Sequence, residues 1–263
     1  MIIDINLLIQ SILILAASIT IIIIFKQKKK INELENLLKY NKEKLEQLQL
    51  DFGQFAPQEV IEQLTDEKGR YNPSLRTVTV LFADLIGFTQ MCEELEPPVV
   101  VSILNGYFRS MSKAVTQNHG QVTELMGDGL LALFGALVHN PWHVQDAVNG
   151  AIAMRKALEE YNEELRSKSL PELSFGIGIH QGEVLAGVMG NFELSKFAVV
   201  GDTINVASRV EALTRKLNVD ILITETVKAQ LDDRYCLREM KPMKVKGKAE
   251  PLTTYYVEGI NSK

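Results

Sequence analysis

The chain has 263 residues, of which 46% are hydrophobic, and a formal net charge of -5. This length is sufficient for one domain of ordinary size with additional elements, and the mildly acidic balance argues against a nucleic-acid-binding surface, which would need a concentrated basic patch. The two cysteines, Cys92 and Cys236, match no metal or redox spacing, which is typical of reduced thiols in a cytosolic domain.

The first element is an uncharged apolar stretch, Ile5–Phe25, close to the length of about 20 residues that a helix needs to cross a bilayer. The basic segment KQKKK follows it directly, whereas a secretory signal peptide carries its positive charge before the apolar stretch. The positive-inside rule places the chain after this segment in the cytoplasm. We therefore predict a transmembrane helix in residues 1–25 of a single-pass protein of the inner (plasma) membrane; the alternative is a buried core helix.

Residues 26–56 form the basic stop and a linker with a heptad pattern. Apolar residues alternate at spacings of three and four, with one asparagine in the seam: Ile31, Leu34, Leu38, Asn41, Leu45, Leu48, Phe52 and Phe55. This pattern predicts a short parallel coiled coil, in which Asn41 favours one register and a dimer. A single amphipathic helix packed on its own domain is the alternative.

Residues 57–74 lead into the globular domain, which we place at residues 75–259. They begin with a short helix that has Pro57 near its first turn, and they continue as a polar, turn-rich linker, TDEKGRYNPS.

The domain mixes strands and helices without strict alternation, which predicts an α+β fold with an antiparallel or mixed sheet. We expect helices at Val99–Gln117, His143–Leu165 and about Asp202–Lys216, and strands at RTVTVLFA, QVTELM, LLALFG, LSFGIGIH, EVLAGVMG, VDILIT and in a closing β pair. LSFGIGIH and EVLAGVMG would be two separate strands on either side of Gln181-Gly182.

Two aspartates stand beside glycines at predicted strand ends. Asp84 ends the first strand, and Asp128 lies between the glycines of ELMGDGLLALF. Each has a simpler explanation, Asp84 as a helix cap and Gly127-Asp128-Gly129 as a tight hairpin turn. If their strands are neighbours, however, the two carboxylates converge and repel unless cations lie between them. Paired Mg²⁺ ions fill this role when the substrate is a phosphate ester.

Two further segments carry groups suited to phosphate. In VVGDTINVASRVEAL, Asp202 or Thr203 can cap a helix on which Asn205 and Arg209 share one face. A neutral donor beside a fixed cation suits developing phosphoryl charge, although a solvated polar face is the simpler explanation. The basic turn MKVKGKAEPL could hold a triphosphate tail or be an ordinary lysine-rich hairpin.

Together, FADLIGFT, GDG, GDTINVASR and KVKGK resemble, in order and spacing, the catalytic domain of the class III nucleotidyl cyclases, the adenylyl and guanylyl cyclase family, over about Arg76 to Val257. The resemblance implies a ferredoxin-like βαββαβ core that works as a head-to-tail homodimer with sites shared between subunits. The implied reaction is attack of the ribose 3′-hydroxyl of a nucleoside triphosphate on its α-phosphate, with release of pyrophosphate.

The resemblance also implies a role for individual residues. Asp84 and Asp128 would bind two divalent cations, Mg²⁺ or Mn²⁺, with the Leu85 carbonyl as a further ligand. Phe88 and Thr89 would lie in the loop that holds the phosphates, and Lys246 would contact the terminal phosphates. Asn205 and Arg209, supplied by the partner subunit, would orient the ribose and stabilise the transition state.

The base would be read by Glu124, where adenylyl cyclases usually have lysine, and by Ala198. Guanine presents two donors on its Watson–Crick edge and a carboxylate accepts both, whereas adenine N1 would face Glu124 lone pair to lone pair. We therefore expect GTP to be favoured. Ala198 can bond neither base directly, so a water could fill in, and Lys196 is the best substitute for an arginine found in many bacterial relatives.

Other functions are compatible with the sequence. The chain could be an adenylyl or dual-specificity cyclase, or a catalytically silent dimerising nucleotide sensor at the membrane. A diguanylate cyclase would need a Gly-Gly-Asp/Glu-Glu-Phe hairpin, which MGDGLL is not.

Overall fold

The computed structural model describes residues 26–32, 34–36, 38–40, 42, 44, 73–137, 139–190, 195–245 and 250–261. The chain divides into two compact units, Met1–Phe55 and Ala56–Lys263. The predicted transmembrane stretch Ile5–Phe25 lies outside the described residues. Within the part that is described, no helix has the length and apolar character that crossing a membrane requires.

The described residues between 26 and 44 are helical, which agrees with the helix expected there. Ile31, Leu34 and Leu38 of the heptad seam are 54%, 51% and 69% exposed. Asn41 and the later heptad positions lie outside the described residues, as does the helix predicted after Pro57, so the coiled coil stays a prediction.

The second unit contains eight described strands and five described helices. In chain order these are β1 Ser74–Leu85, α1 Phe88–Glu94, α2 Pro97–Gln117, β2 Gln121–Met126, β3 Gly129–Phe134, α3 His143–Ser167, β4 Phe175–Gly190, β5 Ser195–Val200, α4 Asp202–Leu217, β6 Ile221–Thr224, α5 Glu225–Lys228, β7 Tyr235–Glu239 and β8 Thr254–Ile260.

The sheet topology confirms an α+β fold with a ferredoxin-like core. The sequence β1–α2–β2–β3–α3–β4 folds into the strand order β2-β3-β1-β4, and all three neighbouring pairs are antiparallel. Strand β6 adds to the start of β4 in parallel, followed by β8 and β7, while β5 pairs with the end of β4. The sheet is therefore mixed, as expected from the irregular alternation of strands and helices.

Alternating residues of β1 face two separate apolar layers, because successive strand side chains point to opposite faces. Leu81 and Ala83 belong to the main cluster, which includes buried residues of α2 and α3. Val78 and Val80 belong to a second cluster, which includes Ala207 of α4. The sheet is thus covered by α2 and α3 on one face and by α4 on the other, and Asp84 falls on the α4 side by alternation.

The division into two strands at Gln181-Gly182 is wrong, because β4 runs without interruption from Phe175 to Gly190. The glycine has a packing role instead. A Cβ atom at Gly182 would lie 2.6 Å from Oγ1 of Thr203, so only glycine lets the first turn of α4 approach the strand this closely.

The predicted side-chain cap of α4 is also wrong. The N-cap residue is Gly201, without a side-chain hydrogen bond. Asp202 is already the first helical residue, and Oγ1 of Thr203 donates a hydrogen bond of 2.7 Å to the carbonyl of Glu183 instead. The hydroxyl therefore fastens the helix to β4 rather than satisfying an amide of its own first turn.

Candidate active site

Asp84 and Asp128 come together at one end of the sheet. Ala83 pairs with Leu130, so Asp84 at the end of β1 borders Gly129 at the start of β3. A Cβ atom at Gly129 would lie 3.2 Å from Asp84 Oδ1. Gly127 has φ +65°, a conformation that suits glycine, and it closes the hairpin between β2 and β3. The turn predicted from Gly-Asp-Gly is thus present, and it brings Asp128 beside Asp84.

The electrostatics of Asp128 reflect this proximity. Burial and, next, the charge of Asp84 raise the pKa of the Asp128 carboxyl, while its hydrogen bond to the backbone and the charge of Arg215 act in the opposite direction. Neighbouring carboxylates that are partly withdrawn from water destabilise each other's charged form. A cation between them relieves this cost.

Arg215 of α4 supplies a cation to this end of the sheet. Its Nη2 donates to Asp84 Oδ2 at 2.5 Å and to the Leu85 carbonyl at 3.2 Å. The Arg215 side chain is 45% exposed, so this ion pair is partly open to solvent.

Glu211 lies one turn before Arg215 and is buried, with 4% of its surface exposed. Its Oε1 is 3.7 Å from Nη2 of Arg215 and has no hydrogen-bond partner among the residues that the structure describes. Burial raises the pKa of Glu211 to about 7; the charge of Arg215 opposes this shift, and the charges of Asp84 and Asp128 add to it.

Tyr107 of α2 adds a second buried polar atom without a hydrogen-bond partner in the described part of the chain. Burial raises the pKa of its hydroxyl, and the charges of Asp84, Asp128 and Glu211 raise it further. The charges of Asp84, Asp128 and Glu211 thus act together at this end of the sheet, and Arg215 is the cation that opposes their effect on the pKa values of Asp128 and Glu211.

The donor set at this region fits a hard divalent cation. Two carboxylates and a main-chain carbonyl are oxygen ligands, and Mg²⁺ is commonly held by one or two carboxylates together with substrate phosphates. No group of three or more histidine, cysteine, aspartate or glutamate side chains suited to a metal occurs among the described residues. Asp84, Asp128 and the Leu85 carbonyl are a small oxygen ligand set of the kind that a phosphate-bearing substrate completes.

The loop after Asp84 turns directly into α1. Gly87 has φ +76° and is the N-cap residue of α1, so the backbone reverses as soon as β1 ends. Phe88 is half-buried and packs against the main core, while Thr89 is exposed at the start of the helix. Of these two predicted phosphate-loop residues, only Thr89 presents its side chain to solvent.

Asn205 and Arg209 lie on α4 but away from the aspartates. Asn205 is exposed, and Arg209 is half-buried with its Nη1 3.9 Å from Asp202 Oδ1. At 1.5 Å rise per residue, they stand ~15 Å and ~9 Å along the axis from Arg215, which contacts Asp84. One chain therefore does not bring the predicted catalytic pair to its own predicted metal ligands.

The predicted base-reading residues lie on strands that are not neighbours. Glu124 is half-buried on β2 opposite Leu131, and Ala198 is on β5 opposite Gly187. In the sheet, β3, β1 and β4 separate these two strands. Lys246 and the side chain of Lys196 lie outside the described residues.

Sequence reasoning missed Arg215, Glu211 and Tyr107. The sequence contained an indication of two of them, because Glu211 and Arg215 are oppositely charged residues four positions apart on the predicted helix. In addition, Glu211 follows Ala207 by four residues on the side of the helix that packs on the sheet, where an acid is unusual. Tyr107 carried no comparable signal, since a tyrosine on the apolar face of α2 is ordinary core.

Comparison with known proteins concerns the domain as a whole. Residues 70–259 match the model of the adenylate and guanylate cyclase catalytic domain. The chain belongs to this family.

Two curated relatives of this chain are named adenylate cyclases. The chain is 35% identical over 240 residues to an adenylate cyclase of Anabaena cylindrica, covering 87% of this chain and 47% of that protein. It is 31% identical over 212 residues to adenylate cyclase 1 of Rhizobium meliloti, covering 80% of this chain and 32% of that protein. The chain therefore spans less than half the length of these curated relatives.

Among solved structures, the guanylyl cyclase Cya2 is similar at 35% sequence identity with a TM-score of 0.65. The match covers 72% of this chain and 95% of that one. A relative named for guanylyl cyclase activity is therefore as similar in sequence as the Anabaena adenylate cyclase.

Proposed function

We propose that this chain is a membrane-anchored nucleotide cyclase that converts a purine nucleoside triphosphate, with GTP favoured, to the 3′,5′-cyclic monophosphate and pyrophosphate. The observation that carries the proposal is the convergence of Asp84 and Asp128 at the end of β1, in a chain of the cyclase family. Two separate segments supply these carboxylates, and the pair is the expected arrangement for a phosphate-handling metal site.

Each metal-site residue has a stated part in this proposal. Asp84, Asp128 and the Leu85 carbonyl would hold two divalent cations, Mg²⁺ or Mn²⁺, which activate an attacking hydroxyl and neutralise a leaving phosphate. The ribose 3′-oxygen bonds to the α-phosphorus, the bond from that phosphorus to the bridging oxygen breaks, and pyrophosphate leaves. The hydroxyl proton passes to solvent.

The other residues position the substrate. Arg209 would place a fixed positive charge against the α-phosphoryl oxygens, where charge develops in the transition state, and Asn205 would orient the ribose. Thr89 would donate to the phosphates from the start of α1, with the Phe88 backbone beside it. Lys196 and Lys246 would contact the phosphate tail.

A homodimer would complete each site, because α4 holds Asn205 and Arg209 apart from the aspartates of the same chain. An exposed apolar row supports such a partner. Leu75, Leu185 and Val200 lie directly opposite one another on β1, β4 and β5 and are 67%, 39% and 57% exposed. A two-fold dimer would contain two equal sites, each built from both chains.

The preference for GTP rests on Glu124, whose carboxylate accepts from both donors of the guanine edge. The similarity to the Anabaena adenylate cyclase favours a second candidate, the conversion of ATP to cyclic AMP. Ala198 leaves room for this alternative, since a methyl group selects neither O6 of guanine nor the amino group of adenine.

Membrane attachment rests on the sequence of the first 30 residues. The uncharged stretch Ile5–Phe25 followed by KQKKK would anchor the chain with its cyclase domain on the cytoplasmic side. The exposed seam residues Ile31, Leu34 and Leu38 support a coiled coil that joins two chains and aligns their catalytic domains.

Side-by-side product measurement tests this function. The 263-residue chain, purified in detergent with Mn²⁺, is supplied with GTP or ATP, and cyclic GMP and cyclic AMP are quantified. We expect mainly cyclic GMP from the parent and no product from Asp84→Ala or Asp128→Ala. Asp233→Ala is a matched control, because Asp233 is exposed in the turn before β7. Full activity in the Asp84 and Asp128 variants would refute their assignment as metal ligands. Cyclic AMP as the main product would refute the proposal that Glu124 selects GTP.

A further inference from the structure

We propose that Arg215 is a built-in cation that competes with the divalent metal for Asp84 and the Leu85 carbonyl, and that metal loading transfers its guanidinium to Glu211. This inference rests on the proposed function, because it uses the proposed metal ligands. Arg215 would then be a positioning residue that sets the affinity of the site for metal.

The competition follows from shared ligand atoms. Nη2 of Arg215 is 2.5 Å from Asp84 Oδ2 and 3.2 Å from the Leu85 carbonyl oxygen. These are one carboxylate and the carbonyl expected to hold the metal. A metal bound to the same two residues would stand within a few ångströms of the guanidinium, and like charges at that separation repel strongly in a partly buried site.

Glu211 offers the guanidinium a nearby alternative partner. Its Oε1 lies 3.7 Å from Nη2 of Arg215, just beyond hydrogen-bonding distance, and this buried atom has no hydrogen-bond partner in the described part of the chain. A buried acceptor without a partner is costly, and a charge-assisted hydrogen bond would satisfy it. A movement of about 1 Å along the same helix face would convert the present contact into that bond.

Two effects of opposite sign follow for Arg215→Ala. Without added metal, loss of the guanidinium removes the cation that is bound to Asp84, so the protein should melt at a lower temperature in EDTA. With Mn²⁺ present, loss of the competitor should tighten binding about tenfold, which corresponds to about 1.4 kcal/mol. A guanidinium that only stabilised the fold would produce the first effect without the second.

The experiment titrates the 263-residue chain in detergent micelles with Mn²⁺ alone and follows the electron paramagnetic resonance signal of free Mn²⁺. Parent, Arg215→Ala and Arg215→Lys are compared, with Arg166→Ala as the control. Arg166 forms an exposed ion pair with Glu172 after α3, and its loss removes the same charge without touching the site. We expect Arg166→Ala to bind Mn²⁺ like the parent and Arg215→Lys to fall between the parent and Arg215→Ala.

A double-mutant cycle tests the role of Glu211. Glu211→Gln should weaken Mn²⁺ binding in the parent, because the guanidinium then has no charged alternative, and it should have little effect when Arg215 is already alanine. An equal effect of Glu211→Gln in both backgrounds would overturn the transfer step.

The two proposals fail in different ways. If Asp84→Ala binds Mn²⁺ as the parent does, the metal site and the proposed function both fail. If Asp84→Ala abolishes binding but Arg215→Ala binds no more tightly than the parent, only the competition by Arg215 is overturned.

Discussion

Sharing of the site between two chains predicts that two inactive variants restore each other. Asp84→Ala removes a proposed metal ligand, and Arg209→Ala removes the proposed transition-state cation. Within one chain, Arg209 stands ~9 Å along α4 from Arg215, the residue that contacts Asp84. Each site should therefore combine Asp84 of one chain with Arg209 of the other.

The size of the recovery follows from the arrangement of the sites. Equal expression of both chains gives one half mixed dimers, and each mixed dimer has one site with both lesions and one site with none. A parent dimer has two intact sites, so the mixture should show about a quarter of the parental activity. Co-expression with two different affinity tags, followed by tandem purification of mixed dimers, should raise this to about half.

The assay measures cyclic nucleotide formation by the tandem-purified mixed dimer. The control is a mixed dimer of Asp84→Ala and Asp128→Ala, which carries both lesions on the metal side and has no intact site. Recovery in neither pair would contradict a shared site, as would Arg209→Ala chains that are fully active on their own.

Three further predictions concern the base-reading residue, the packing of α4 and the buried Glu211. Glu124→Lys should lower the ratio of cyclic GMP to cyclic AMP at least a hundredfold, measured with equal GTP and ATP, because lysine only donates and would face the guanine donors. Gly182→Ala should lower the free energy of unfolding in urea by about 1–3 kcal/mol, since its Cβ would lie 2.6 Å from Thr203 Oγ1, while Gly259→Ala, with no neighbour within 4 Å, should change it little. The raised pKa of Glu211 favours the folded state most below pH 4.5, and this effect is lost as pH rises through about 7. In EDTA, the free energy of unfolding should therefore fall across that window by up to about 1.4 kcal/mol per pH unit, measured by urea titrations at several pH values. Glu211→Gln should make this fall smaller.

The elements most accessible from sequence were those with strong periodicity. The end of α2 and the start of α3 lie where the apolar pattern placed them, at Gln117 and His143. The β2–β3 hairpin was equally clear, because Gly-Asp-Gly between two apolar strands has few other solutions. Short sequence patterns of this kind are sufficient to predict local backbone conformation.

The errors arose where a glycine had a tertiary role. Gly182 looks like a turn residue in sequence, but its lack of a side chain serves the close contact with Thr203 of α4. Thr203 in turn looks like a cap, but its hydroxyl bonds the Glu183 carbonyl across that contact. Neither role can be read from sequence, because each depends on which helix packs against which strand.

In the candidate site, too, features with a local motif were predictable and features that depend on tertiary packing were not. The convergence of Asp84 and Asp128 was predictable once their strands were taken as neighbours, since each aspartate has its own motif. The pairing of Arg215 with Asp84 joins residues 131 positions apart and has no motif. Only the packing of α4 against β4 places that guanidinium at the end of β1.

The position of α4 connects the separate features of the domain. Its first turn is fastened to β4 through Thr203. Its first half carries Asn205 and Arg209 away from the aspartates, and its second half brings Glu211 and Arg215 to them. A shift of this helix along β4 would therefore change two distances together: the reach of Arg209 toward a partner's site and the contact of Arg215 with its own. Because one rigid helix carries both arginines, a signal that moves α4 would act on both sites of a dimer through one displacement.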